Sequence, residues 1–204
     1  MDAKDRDAVT DFLSFDCPAP LLERLRPRYA EPHRRYHTWA HILACLKARR
    51  ALTETPSMEV DLAILFHDAI YDPLRGDNEA RSAALLLEEG RRAWLPERTL
   101  ERAAALVGVT RHDGDTLDSE EAGLVLDADL SILGCAPEAF ATYEAQVRCE
   151  YAAVDDARYA VGRAAVLSSF LARPSIYVTR RGRRLWEAPA RANLERSLRA
   201  LSPS

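Results

Sequence analysis

His67 and Asp68 stand side by side in the apolar run Asp61-Leu-Ala-Ile-Leu-Phe-His-Asp-Ala-Ile-Tyr-Asp72. Burying an imidazole and a carboxylate together costs free energy unless something compensates them. A divalent cation would do so, and further groups able to bind one flank the pair. Upstream, His37 and His41 fall in Arg35-Tyr36-His37-Thr38-Trp39-Ala40-His41. Downstream, Asp127 and Asp129 fall in Leu126-Asp127-Ala128-Asp129-Leu130-Ser131. On a helix, positions four apart share a face, so a helix over 36–52 would put His37 and His41 together. Thr38 stands where the zinc-protease pattern HExxH needs its Glu, which excludes that motif. A HxxxH pair or a His-Asp dipeptide alone carries little information. The combination of a His pair, a His-Asp pair and two carboxylates in otherwise apolar segments points to a metal site.

Four nearby residues are open to two readings each. Asp72, one helical turn beyond Asp68, could activate a water or simply finish a helix beside Pro73. Glu79 suits the positive N-terminal end of a helix and could also face a metal-bound water or a substrate. His112, in Thr110-Arg111-His112-Asp113, is a ligand for a second metal or a loop histidine. The Arg35 guanidinium could hold a phosphate bidentately or form a surface ion pair.

The elements that must position these groups read as helices. Apolar spacing, capping residues and breakers predict helices over 7–15, 36–52, 57–70, 78–89, 96–110, 120–132, 138–154, 156–172 and 189–201. Gly90 falls just past one predicted helix end, and Ser119 and Asp155 before predicted starts. Ile176-Tyr-Val-Thr179 is the one strand-like run of note. The expectation is an all-α helical bundle in a single domain over 1–204, with metal motifs in 35–129 completed by helices in 137–201.

With 204 residues, 48% hydrophobic and 29% charged, the composition is that of a soluble globular domain able to bury a core. The N-terminal Met-Asp-Ala-Lys-Asp-Arg-Asp lacks the apolar stretch of a secretory signal. No apolar run approaches the roughly 20 residues that span a bilayer. The four cysteines form no CxxC pair and read as reduced thiols, so cytoplasm is the expected compartment and no membrane is expected. A net charge of −4 argues against general nucleic-acid binding. Residues 173–199 nevertheless carry eight arginines against Glu187 and Glu195, either a solvated face or an anion-attracting wall. No heptad seam or apolar surface stripe indicates an oligomeric state.

Taken together, His…His-Asp…Asp on helical segments resembles the HD superfamily of metal-dependent phosphohydrolases. Tyr143-x7-Tyr151, Gly162-Arg163 and Arg191-x-Asn193-Leu194 are similar to a bacterial branch of that superfamily. Tyr36-His37-x3-His41 and Asp129-Leu130-Ser131 are distantly similar to cyclic-nucleotide phosphodiesterases. The resemblance implies that His41, His67, Asp68 and Asp129 ligate the metal, with Asp127 the rival of Asp129 or a residue orienting a histidine ring. It further implies that His37 protonates the leaving oxygen, the other reading being support of the metal ligands from behind.

Such a ligand set of nitrogen and oxygen suits Mn, Fe, Co, Ni or Zn, with Mg also accommodated. The function it implies is hydrolysis of a phosphate ester or anhydride, with a small phosphorylated substrate such as a nucleotide as partner. The alternatives are a non-catalytic metal- or nucleotide-binding module, a di-iron oxygenase on the same kind of fold, and an RNA-associated protein using the Arg-rich segment.

Overall fold

The computed structural model describes residues 8–111 and 119–201, so His112 lies outside the described residues. Helix formation begins with local chemistry. Ser57 accepts a hydrogen bond from the Val60 amide at 3.2 Å, Ser119 from Ala122 at 3.1 Å and Asp155 from Arg158 at 3.0 Å. Each side chain satisfies an amide that the first helical turn leaves without an intrahelical partner.

The helices are α1 (Ala19–Leu25), α2 (Trp39–Leu52), α3 (Met58–Phe66), α4 (Asn78–Arg92), α5 (Glu97–Gly108), α6 (Glu120–Asp129), α7 (Pro137–Glu150), α8 (Asp156–Leu171) and α9 (Arg180–Leu201). No strand occurs among the described residues, and the chain is a single all-α domain. None of the described helices is long and apolar enough to cross a membrane.

Helix α3 is the centre of the larger core. All residues from Val60 to Phe66 are buried, because α2, α4, α5 and α6 pack around it. An apolar helix without a polar face is stable only when enclosed in this way. Its one buried charge, Asp61, receives Arg49 Nε at 2.9 Å and the Ser14 amide at 2.6 Å, tying α2 and the N-terminal segment to α3. Helices α4 and α5 form a tight antiparallel pair. A Cβ on Gly90 would come within 2.2 Å of Leu100 Cδ2, so glycine is what permits this approach. The expected helix end at Gly90 is therefore corrected: α4 continues to Arg92, and Gly90 is an interhelical contact.

A second core gathers Leu130, Leu133, Phe140, Leu167, Phe170, Ile176, Tyr177, Ala190 and Leu194, and Trp186 packs against both cores.

Three departures from the sequence expectation shape the site. Helix α2 starts at Trp39, not Tyr36, leaving His37 in the bend that precedes it. Helix α3 ends at Phe66 with His67 as its C-cap, so Asp68 lies in the turn beyond rather than within a helix reaching Ile70. Helix α9 starts at Arg180, nine residues before the expected Pro189, which is accommodated inside the helix.

The strand-like run 176–179 leads into α9 and pairs with no strand. Ile176 N and Tyr177 N donate to the Glu187 carboxylate, while Val178 N and Thr179 N donate to Asp127. Carboxylates thus take the amide bonds that a neighbouring strand would have taken. Helix α1 and the 3-10 turn Arg26–Ala30 that follows it went unread in the sequence.

Candidate metal centre

Four segments converge on one point. Helix α2 supplies His41, the end of α3 supplies His67 and the turn after it Asp68, and the last residue of α6 is Asp129. The Nε2 atoms of His41 and His67 are 3.1 Å apart. Asp68 Oδ2 lies 2.9 Å from His67 Nε2 and 3.5 Å from His41 Nε2. Asp129 Oδ1 lies 3.3 Å from His41 Nε2 and 3.5 Å from His67 Nε2. His67 donates from Nδ1 to the Ile64 carbonyl at 2.9 Å, which fixes the ring and presents Nε2 to the cluster. The C-terminal end of α3 makes this geometry available, because only a residue near the helix end can use that carbonyl while its neighbour turns back.

Both histidines are buried, and burial by itself favours the neutral ring. That effect is overcome at His41 by Cys45, Tyr36 and the Asp129 and Asp68 carboxylates, and at His67 by the same two aspartates. Both imidazoles are held well above the usual histidine range. Asp68, despite its own burial, is held well below the usual carboxylate range by His67, His37 and His41. The cluster therefore concentrates a demand for positive charge where two ring nitrogens face each other, and two such nitrogens cannot both accept there without a cation between them. A buried group of His41, Cys45, His67 and Asp129, with ligand atoms all within 4.8 Å of one another, could hold a metal ion. Its imidazole and carboxylate donors fit a borderline divalent ion.

Cys45 is the member that sequence reading missed. Its signal was the four-residue spacing from His41 on α2, hidden by the reading of all four cysteines as ordinary thiols.

His37 approaches from a different direction. Glu150, the last residue of α7, accepts from the amides of Arg35, Tyr36 and His37 at 2.7, 2.8 and 3.0 Å through Oε1. Its Oε2 accepts from His37 Nδ1 at 2.6 Å and from the Tyr71 hydroxyl at 2.9 Å. The His37 ring, together with the Arg35 and His37 amides, outweighs burial and holds the Glu150 carboxyl at about 2. The His37 ring stacks on Tyr71 with centroids 4.1 Å apart. With Nδ1 engaged by Glu150, Nε2 is the ring nitrogen left for chemistry. Glu150 was also missed, since nothing in its sequence neighbourhood marks a residue that acts on the far side of the fold.

Arg34 is a further unread residue. Its buried guanidinium donates to the carbonyls of His37 at 2.9 Å, Asp68 at 2.8 Å and Ala69 at 3.3 Å, stitching the His37 segment to the His67-Asp68 turn.

His37, His67, Asp68 and Asp129 line a cavity of about 540 Å³. Tyr36, Tyr71, Tyr143, Tyr151 and Tyr159 share its wall, with Arg158 and Arg163 among its cationic groups. Arg163 donates to the Tyr143 hydroxyl at 2.8 Å and pairs with Glu144. Glu79 lines this cavity, consistent with either of its expected roles.

Several expectations are corrected. Asp127 is no ligand and orients no histidine, for it accepts from Val178 N at 2.7 Å, Thr179 N at 2.8 Å and Thr179 Oγ1 at 2.6 Å. Asp72 does not line the cavity; it accepts from the Leu74 amide at 2.9 Å and closes the turn at Pro73. Arg35 points elsewhere too, donating to the Pro32 and Arg34 carbonyls at 2.7 and 2.8 Å. It borders a different cavity of about 510 Å³, which His41 and Cys45 also line.

These features define an all-α protein with a buried histidine, cysteine and aspartate group suited to a metal. Compared with family models, curated proteins and solved structures, the chain matches none.

Proposed function

We propose that the protein is a divalent-metal-dependent phosphohydrolase of the HD type, acting on a phosphate ester or anhydride, with a nucleotide as the substrate class. The observation that carries this reading is the convergence of His41, His67, Asp68 and Asp129, the last three of which line the cavity that His37 also lines. A cavity of about 540 Å³ is of the size that takes a small molecule.

His41, His67, Asp68 and Asp129 would hold the metal. When bound, it supplies Lewis acidity toward a phosphoryl oxygen and lowers the pKa of water toward about 7. The protein's own groups do the rest. His37, with Nδ1–H fixed on Glu150, has Nε2 available to hand a proton to the departing oxygen. The tyrosine-rich wall supplies faces on which a base can stack. Arg158 and Arg163 place positive charge along the route of an anionic substrate. Arg34 keeps the His37 and Asp68 segments in fixed relation, which is what a two-part site requires.

The test is elemental analysis of protein purified without chelator or metal-affinity resin, followed by a phosphatase screen over nucleotides with the metal found. The reading expects about one or two ions per chain and turnover that disappears in Asp68→Ala. Full activity in Asp68→Ala, or no metal taken up by either protein, would overturn it.

A further inference from the structure

A sulfur sits among the nitrogen and oxygen donors of the candidate metal centre. Cys45 is one helical turn after His41 on α2, so both side chains leave the same face. Its Sγ is 3.5 Å from His41 Nε2 and 3.6 Å from His41 Nδ1. It also lies within 4.8 Å of the ligand atoms of His67 and Asp129. In a tetrahedral site with donors at about 2.0–2.3 Å from the ion, donor atoms lie roughly 3.3–3.8 Å apart. The 3.5 Å between Sγ and His41 Nε2 falls within that range, and the 3.1 Å between the two histidine Nε2 atoms is close to it. The side chain is 1% exposed, so the sulfur is shielded from the alkylating and oxidising access that surface thiols have. Among the described residues, Cys17, Cys135 and Cys149 belong to no such group.

We infer that Cys45 is a ligand of the metal, as thiolate, making the centre a mixed sulfur, nitrogen and oxygen site. The inference rests on the metal-site reading above and extends it to the identity of the ion. On binding, the thiol proton leaves to solvent and the sulfur lone pair is donated to the ion. A soft sulfur donor disfavours Mg and biases the site toward Zn, Co or Fe.

The experiment uses the full chain, reconstituted with Zn(II) for X-ray absorption and with Co(II) for optical spectroscopy, in wild type and Cys45→Ser. The expected wild-type zinc spectrum contains one sulfur neighbour at about 2.3 Å beside lighter atoms at about 2.0–2.1 Å. The cobalt protein is expected to show a sulfur-to-metal charge-transfer band in the near ultraviolet. Both signatures should vanish in Cys45→Ser, with zinc affinity weakened roughly tenfold or more. Zinc bound with only light-atom neighbours in wild type would overturn the Cys45 inference and leave the metal site standing. So would sulfur signatures that persist in the variant, since another cysteine would then be the source. No zinc or cobalt uptake by wild type would overturn the metal site itself. The wild-type absorption measurement decides the matter even if the variant fails to fold.

Discussion

Asp127 and Asp129 are two residues apart at the end of α6 and serve opposite ends. Asp127 faces the start of α9, where two amides and a hydroxyl saturate its oxygens. A Cβ on Gly182 would come within 2.2 Å of its Oδ2, so even the first turn of α9 is fitted to it. Asp129 faces two histidines, with Oδ1 3.3 Å from His41 Nε2 and 3.5 Å from His67 Nε2. A carboxylate satisfied by fixed amides holds structure together; one placed among convergent ligand atoms is positioned to meet a cation. A step of two residues turns the side chain by about 200° around the helix, which suffices to separate the jobs.

The strongest way to break this comparison is to exchange the consequences of losing each carboxylate. Asp129→Ala should lower metal content and any phosphohydrolase activity by more than the roughly 10–100-fold typical of outer groups, while the thermal transition of the metal-free protein changes little. Elemental analysis and calorimetry read both effects, and a metal-replete Asp129→Ala would remove Asp129 from the site.

Asp127→Ala should do the reverse. It strands the Val178 and Thr179 donors, costing roughly 3 kcal/mol, or about 6–12 °C in Tm for a chain of this size. The folded fraction should still bind metal at wild-type stoichiometry, and loss of metal without loss of stability would contradict the assignment.

Glu150 sharpens the comparison from a third direction, being saturated like Asp127 but attached to a chemical group. Glu150→Gln should leave metal content unchanged and reduce kcat roughly tenfold or more, because His37 Nδ1 loses its anionic acceptor. Acid titration carries a defined sign. The folded carboxyl sits at about 2 against an ordinary value of 4.5, so its stabilisation is complete above about pH 4.5 and is lost as pH falls toward 2. Wild type and Glu150→Gln should therefore differ in denaturant midpoint near neutrality and converge at the acid end. A gap that widens on acidification would refute the clamp.

The smallest effects belong to residues that the fold places outside the cavity. Asp72→Ala and Arg35→Ala should each keep kcat/KM within about threefold of wild type, within the range of ordinary surface substitutions. A hundredfold loss in either would return that residue to the site.

Much of the architecture was legible because its signals are local. Ser57, Ser119 and Asp155 cap helices by bonds that reach three residues along the chain. The apolar run through Leu62 to Phe66 foretold enclosure on every side. Local signals failed where distant partners decided the backbone. His37 left the expected helix because Glu150, 113 residues away, takes three successive amides. Residues 176–179 had the composition of a strand, but Asp127 and Glu187 claimed their amides. Pro189 suggested a start for the last helix, whereas the hydroxyl of Thr179 caps it by accepting from Gly182 N at 2.9 Å.

The sequence by itself determined the helical class and the histidines and carboxylates from which the cluster would draw, because periodicity and capping act over one or two turns and apolar context exposes misplaced charges. Tertiary structure alone decided which of Asp127 and Asp129 meets the histidines, that Cys45 joins them, and that Glu150 holds His37. Those outcomes depend on where side chains point once helices cross. His41 and His67 meet across 26 residues of chain, a juxtaposition fixed by packing around α3 rather than by any pattern within either segment.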